Sequence, residues 1–540
     1  MLAASTVKGP SGVRRCAAAE RWLPALTQVV ARLLSDPRYA AAVGQSPWDC
    51  LLDTGLTTEL VRRIGRIIPA QWVAMAREHE VWVDSMNFAS ASAPSPKDWN
   101  LQLVLSDGTA MAEGPKRRIG LGHRTVPFSE TIRRAERVSR AIGVTRLSQT
   151  TGVDRIGIPV WSAICPSTES ISVYNGKGVT DAQARAGALM EAVERYCAEQ
   201  RPADCRVATV SEISRVGLFL HPCEARLALP ETFDPNQAIE WTQAWDLMGC
   251  QDVWVPAVLA MVPYRPLPGA LALPSSSNGL ASGNTIEEAI CHGLAELIER
   301  DADTLTAVRS YLHPIARAIA RTLCGQRVRR RLRSRLPEHL DLSSLPSTDR
   351  KMVERFNVAD VDLCVLDVTS DLGIPCFRGM AVDGHLAGRV PFICDGAGAH
   401  PTPEIALHRA ITEAAQSRVT VIQGAREDIP EVAGGAGFRA LWPFAERGTR
   451  RWTRAAGRRT ASVCDDIRVM LAALGRAGIR RCLVKDRTLP QIGIPVAKVI
   501  VPELEDWSTL ATHGRAMGLG RRGLDAAAIG FGGMAIREDQ

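Results

Sequence analysis

The sequence predicts an α+β protein: a helical N-terminal module with its linker over residues 1–118, then a domain over 119–540 in which strands alternate with three helices of one repeated pattern. Three observations predict it. WLPALTQVVARLL from Trp22 and TTELVRRIGRIIPAQWVAMAREHE from Thr57 space apolar residues three and four apart, the period of a helix with one buried face. IGIPVW from Ile156, LGIPCF from Leu372 and IGIPVA from Ile492 each set a proline ahead of strand-forming residues, a place proline tolerates at the start of a strand. Three further segments each begin with a threonine behind a glycine-containing loop and continue with helical spacing.

In chain order, the first module ends in MNFASASAPSPKDWNLQLVLSDGTAMAEGPKR, residues 86–118, where small residues, prolines and glycines surround one strand-like run, LQLVL. The larger domain follows. With 540 residues and 46% hydrophobic content the chain can bury a large core, and its length predicts two or three domains. No run approaches the roughly 18 to 20 apolar residues that span a bilayer, and the N-terminus lacks an apolar signal core, so a cytoplasmic protein without membrane contact is expected. The 14 cysteines include no CxxC pair, which argues against a zinc knuckle, a thioredoxin-like motif or a disulfide framework. A net charge of +7 is too slight for a nucleic-acid binder. The arginine-rich runs at 327–335 and 448–459 read as solvated surface.

The three threonine-led segments are TDAQARAGALMEAVERY from Thr180, TIEEAICHGLAELIERD from Thr285 and TPEIALHRAITEAAQSR from Thr402. Each threonine is a plausible N-cap, and Pro403 sits where the first helical residue tolerates proline. The fourth residue after each threonine is alanine: Ala184, Ala289 and Ala406. The eleventh is Glu191, Glu296 and Glu413, and the fourteenth is Glu194, Glu299 and Gln416. At 100° per residue, positions three, seven, eleven and fourteen fall within roughly 80° of arc. Glu288, His292, Glu296 and Glu299 therefore share one stripe, as do Gly187, Glu191 and Glu194, and Arg409, Glu413 and Gln416. Glutamates at this spacing repel one another unless a cation compensates, and hard divalent cations take carboxylate oxygens. Cations stand nearby: Lys177 in the NGKG loop, Arg195 and Arg300 directly after stripe glutamates, and Arg409 on the third stripe. NGKG lacks the spacing of a P-loop and on its own is a turn, but a glycine-rich turn before a helix can offer backbone N–H groups to phosphate.

These residues resemble a known family. GVTRLSQTTGVDRIGIPVW with SVYNGKGVTDAQARAGALMEAVERYCAE, then SNGLASGNTIEEAICHGLAELIERDA, then GAGAHPTPEIALHRAITEAAQSR match the three ordered motifs of the YcaO domain, and the resemblance runs from about residue 119 to about 505. It implies a YcaO-type ATP-binding fold with mixed sheets and ATP and Mg2+ as cofactors. It further implies that Lys177, Glu191, Asn284, Glu288, Arg300 and Arg409 contact the nucleotide, and that Glu191, Glu194, Glu296, Glu299 and Glu413 hold metal. Arg409 and Glu413 match the family's last, catalytic pair. Two departures stand out: Gly187 replaces a common serine, and no proline follows Pro502, unlike the proline-rich tail of many azoline-forming members.

The chemistry implied is ATP-dependent activation of a backbone amide in a ribosomally made peptide or protein, giving an azoline or a thioamide. A stand-alone, TfuA-associated type is the nearer likeness, with a TfuA-like or leader-binding protein as partner. Symmetric dimers are a common default for soluble enzymes. The competing expectation is a nucleotide-binding regulator or scaffold without turnover.

Overall fold

The computed structural model describes residues 7–8, 14–15, 103–119, 122–225, 227, 234–273, 275–324, 337–384, 392–427, 449–452 and 460–506. The chain divides into two compact units. One comprises residues 1–88, 304–337 and 503–540, in which β1 (Val7–Lys8) pairs antiparallel with β2 (Arg14–Arg15). The helices expected over 22–80 lie outside the described residues.

The larger unit comprises residues 89–303 and 338–502. It opens with the pair β3 (Arg117–Ile119) and β4 (Gly122–Arg124) and helix α1 (Phe128–Ser139). Strands β5 (Arg146–Gln149), β6 (Val160–Ile164) and β7 (Val173–Lys177) form an antiparallel three-stranded sheet that leads into α2 (Asp181–Glu199). After β8 (Arg206–Ala208) and the single turn α3 (Val210–Ile213) come β9 (Ile239–Asp246), β10 (Gln251–Pro256) and β11 (Leu280–Ser282). Helix α4 (Ile286–Cys324) belongs to this unit through Asp303. Next are β12 (Glu338–Asp341), α5 (Ser347–Val358), β13 (Asp362–Asp367), β14 (Cys376–Asp383), β15 (Phe392–Ala399) and α6 (Pro403–Gln423). The last are β16 (Thr449–Arg451), α7 (Val463–Arg476), β17 (Leu483–Asp486) and β18 (Val496–Ile500).

The six-stranded sheet runs β10-β9-β17-β18-β11 with β8 also on β9, and the five-stranded sheet runs β15-β14-β13-β12-β16. The second is mixed, because β16 lies parallel to β12 while its other pairs are antiparallel. As expected, Pro159, Pro375 and Pro495 each directly precede a strand, β6, β14 and β18.

The strand before each repeated helix lies against it. In α2, Ala188, Leu189, Ala192 and Val193 pack with Tyr174 of β7 and Ala135 of α1. In α6, Ala406, Leu407, Ala410 and Ile411 pack with Phe377 of β14 and Phe356 of α5. Covering a side chain such as Leu189 or Phe356 is worth about 1.5–3 kcal/mol. Two glycines set the close approach. A Cβ on Gly176 would overlap the Ala184 carbonyl oxygen and the Ala188 nitrogen, and one on Gly398 would overlap the Ala406 carbonyl oxygen. The alanine four residues after the threonine is fully buried in all three helices, and in α2 and α6 its backbone lies against a strand glycine.

Three expectations need correction. NGKG, read as a turn, is strand as far as Lys177: Asn175, Gly176 and Lys177 belong to β7 and pair with Ser162, Trp161 and Val160 of β6. The cap is made twice: Thr180 Oγ1 accepts from the Gln183 N–H at 3.2 Å and Thr285 Oγ1 from the Glu288 N–H at 3.3 Å. Thr402 makes no side-chain cap: the Ile405 N–H, the donor its two equivalents take on their hydroxyls, goes to the Thr402 carbonyl at 3.1 Å. Of LQLVL, residues 103–105 are described, and Val104 makes only an isolated bridge to Ala110. The first arginine run lies outside the described residues at 327–335; in the second, Arg450 sits in β16 and donates to Asp367 at 2.6 Å. Among the described residues no helix is long and apolar enough to cross a membrane.

Candidate functional site

Helices α2, α4 and α6 are joined by a cycle of hydrogen bonds made from equivalent positions. Fourteen residues past its threonine, Glu194 of α2 accepts from the Ser282 N–H of β11 at 3.0 Å. At the same place on α4, Glu299 accepts from the Ala399 N–H of β15 at 3.1 Å. On α6 the residue is Gln416, whose amide donates to the Asn175 carbonyl of β7 at 2.7 Å and closes the circle. Each helix thereby grips the strand that leads into the next. The third residue is an amide because its partner is an acceptor, which a carboxylate could not serve.

The eleventh positions carry the charge. Arg195 reaches back one turn to Glu191 at 3.8 Å, and Arg300 reaches Glu296 at 3.6 Å and Glu299 at 3.8 Å. On α6 the matching residue is Ser417, and the cation comes from another repeat: Lys177 Nζ of β7 meets Glu413 at 2.5 Å. Glu296 also accepts from the Gly279 N–H at 3.1 Å. The side chains of Lys177, Glu191, Glu296, Arg300 and Glu413 keep 21–27% of their surface open, whereas Glu299 keeps 3%.

The electrostatics tie these groups into one cluster. Burial, with Glu296 adding to it, holds Glu191 above the usual carboxylate range against the pull of Arg195, Arg426 and Lys177. Burial raises Glu194 well above that range, helped by Glu191 and Glu296. Burial, with repulsion from Glu413 and Glu296, pushes Glu299 up to about 7 despite Arg300 and Arg409. Glu413 is the exception: burial works against its charge, but Lys177, Arg300 and Arg409 outweigh it and keep the carboxyl low. Burial also opposes the Arg300 charge, and Glu299, Glu296 and Glu413 overcome it. Burial, then Arg409, Arg124 and Lys177, hold His292 well below the ordinary imidazole range, so it is neutral.

Asn284 and Glu288 sit on the same tract but are committed to protein. Glu288 accepts from the Asn284 N–H and side-chain amide at 2.9 Å each, and from the Thr125 N–H and hydroxyl. Thr131 donates to Asn284 Oδ1 at 2.8 Å. Sequence reasoning missed Arg124, Thr125 and Thr131, which reach this helix from β4 and α1. Among so many arginines and threonines nothing marks them, and their partners lie more than 150 residues away. Gly187 faces Gly176, whose Cα a Cβ on Gly187 would meet at 3.2 Å, so the departure at this position answers to close strand contact.

The arrangement fits a divalent cation with a polyphosphate. Three of the five glutamates stand above their ordinary range, chiefly because they are buried and then because they repel one another, so a bound cation would offset a charge that the site opposes. Their oxygens are the hard donors that magnesium takes, and Lys177, Arg300 and Arg409 are cations of the kind that meet phosphate.

One prediction follows from Glu299. In the unfolded chain it titrates near about 4.3, so between that pH and about 7 the folded protein holds a proton that the unfolded chain has lost. Its contribution to stability is full below the lower value and is lost as pH rises through about 7. A bound cation needs the carboxylate and displaces that proton. The gain in Tm on adding Mg2+ with the ATP analogue AMPPCP is therefore expected to be larger at pH 8 than at pH 6, as read by thermal melts.

Residues 175–505 match the family model described as "YcaO cyclodehydratase, ATP-ad Mg2+-binding". The chain is 38% identical over 396 residues to an uncharacterised protein of Methanothermobacter thermautotrophicus, covering 70% of this chain and 94% of that one. It is 33% identical over 402 residues to the "uncharacterized protein in tfuA 3'region" of Rhizobium leguminosarum bv. trifolii, covering 71% and 88%. Among solved structures, YcaO from Methanopyrus kandleri bound with AMPPCP and Mg2+ is similar at a TM-score of 0.55 and 25% identity, covering 75% of this chain and 98% of that one. A heterocyclase in complex with substrate and cofactor is similar at 0.59 and 26%, covering 75% of this chain and 55% of the heterocyclase, so the chain spans about half of that protein's length. Both the sequence match and the fold give one conclusion: the chain belongs to the YcaO family, whose cofactors are ATP and Mg2+.

Proposed function

We propose that this protein uses ATP and Mg2+ to activate a backbone amide of a ribosomally made peptide or protein. The observation that carries the reading is the cluster itself: five glutamates from three helices, two of them, Glu191 and Glu299, held above their ordinary range chiefly by burial, bordered by Lys177, Arg300 and Arg409. Glu191, Glu194, Glu296, Glu299 and Glu413 would hold the metal. When bound, Mg2+ offsets triphosphate charge and ATP supplies the phosphoryl group that makes the amide oxygen a leaving group.

The chain's own residues then supply position and charge. Lys177 exchanges Glu413 for a phosphate oxygen. Arg300, already held charged by its three glutamates, and Arg409 stabilise the negative charge that gathers on the transferring group. Asn284 and Glu288, bonded to each other and to Thr131 and Thr125, fix the first turn of α4, and a contact of theirs with nucleotide would be made in exchange for one of these bonds. Glu413, kept ionised below the usual range by Lys177, Arg300 and Arg409, joins Arg409 as the catalytic pair.

The attacking group decides the product. A cysteine, serine or threonine side chain of the substrate adds to the amide carbon, the oxygen leaves as phosphate, and an azoline ring remains. An external sulfide in its place leaves a thioamide. Likeness to a heterocyclase supports the ring, and likeness to a protein encoded beside tfuA supports the thioamide with a TfuA-like partner. Residues 1–118 are proposed as the accessory module that recruits the leader peptide or partner, 119–540 as the catalytic domain, and the cytoplasm as the compartment supplying ATP.

Incubation with a candidate precursor peptide, ATP and Mg2+, with and without sulfide, tests this reading. Peptide-dependent phosphate release is expected, with loss of one water for the ring or exchange of oxygen for sulfur for the thioamide. Nucleotide binding without peptide-dependent phosphate release would instead fit the regulator or scaffold.

A further inference from the structure

Strand β7 ends on Lys177, and its contact with α6 has a second anchor two residues earlier. Asn175 is 3% exposed, and its side chain is enclosed by polar groups. Ser162 Oγ donates to Asn175 Oδ1 at 2.7 Å, and Asn175 Nδ2 donates to Thr420 Oγ1 at 2.8 Å. The Thr420 hydroxyl donates in turn to the Gln416 carbonyl at 2.8 Å, and Gln416 Nε2 donates to the Asn175 carbonyl at 2.7 Å. Residues two apart on a strand point to the same face, so Asn175 and Lys177 both look toward α6. Glu413, Gln416 and Thr420 are spaced three and four apart and share one face of that helix. Two strand residues advance roughly 6.6 Å. From Glu413 the helix advances roughly 4.5 Å to Gln416 and 10.5 Å to Thr420. The two anchors therefore hold one register, in which gripping Asn175 brings Lys177 to Glu413.

We infer that Gln416, with Thr420 and Asn175, is a latch that sets the register of β7 on α6, and that Gln416 is a positioning residue for nucleotide acting through Lys177. The equivalent positions on α2 and α4 bear glutamates that bond to strand N–H groups while facing the charged cluster. Gln416 keeps the strand-gripping half of that role and gives up the charge. Glu413 beside it then has Lys177 as its hydrogen-bonded cation.

The inference rests on the reading that Lys177 serves the nucleotide, and a double-mutant cycle separates the two. The affinity for AMPPCP with Mg2+ is measured by calorimetry for the unaltered protein, Lys177→Met, Gln416→Met and the pair. Lys177→Met is expected to weaken binding roughly 10- to 100-fold and Gln416→Met about 5-fold. In the Lys177→Met background Gln416→Met should weaken it no further, although it lowers Tm in both backgrounds. A purely structural role for Gln416 predicts the same loss of affinity in both backgrounds, and that result overturns the inference. So does a Gln416→Met protein that binds like the unaltered one while Lys177→Met binds weakly. If Lys177→Met alone binds normally, the nucleotide reading of Lys177 fails and takes this inference with it. Should Gln416→Met not fold, Thr420→Val enters the same cycle with the same expectation and the same contradiction.

Discussion

Replacing Glu299 by glutamine is expected to weaken binding of AMPPCP with Mg2+ roughly 10- to 100-fold while raising the thermal stability of the free protein. The two signs have one cause. Glu299 is 3% exposed, and burial with the charges of Glu413 and Glu296 pushes its carboxyl up to about 7. From neutral pH upward the fold therefore carries a charge that its surroundings oppose, and glutamine removes that burden. Glutamine can still accept the Ala399 N–H through its carbonyl oxygen, so the contact between α4 and β15 survives. What is lost is the charge that a metal would meet. A residue with only a structural role would lose stability on substitution; calorimetry and thermal melts on one preparation distinguish the cases.

The largest effect on stability is expected away from this cluster, at Arg418. Its guanidinium is fully buried and bonds to Asp154 at 2.9 and 3.0 Å and to Asp383 at 3.2 Å. Asp383 also pairs with Arg155 at 2.9 Å, whereas among the described residues both side-chain bonds to the buried Asp154 carboxylate come from Arg418. Arg418→Leu strands that carboxylate and should destabilise the protein by about 3–5 kcal/mol. Adding Asp154→Asn should recover part of the loss, because the uncompensated charge is then gone. Denaturant unfolding of the single and double variants checks both statements. Equal stabilities for the two would mean that the pair's charge is not what holds this region.

How much of this was legible in the sequence depended on whether the signal was local. Helix periodicity and the repeated positions of Glu191, Glu296 and Glu413 are local, and all three helices form with the expected stripes. The proline-led strand starts are local too. The bonds that assemble the cluster are not: Glu194 meets a strand 88 residues on, Glu299 one 100 residues on, and Gln416 one 241 residues back. Gln416 stood in the sequence only as the third member of a position otherwise held by glutamate, and the carbonyl of Asn175 explains it. The missing cap at Thr402 comes from the Ile405 N–H, which bonds to the threonine's carbonyl rather than its hydroxyl, a choice that nothing local announced. Gly187 read as a lost hydroxyl, whereas the Gly176 backbone beside it makes this a tightly packed position that suits glycine.

The account stands on the three acidic stripes holding magnesium against a triphosphate. A crystal structure grown with AMPPCP and Mg2+ tests it most directly. Carboxylate oxygens from at least two of the three helices should lie about 2.0–2.1 Å from magnesium, with Lys177, Arg300 or Arg409 on phosphate oxygens. Nucleotide bound elsewhere, with Glu191, Glu296 and Glu413 still meeting only protein cations, would contradict it.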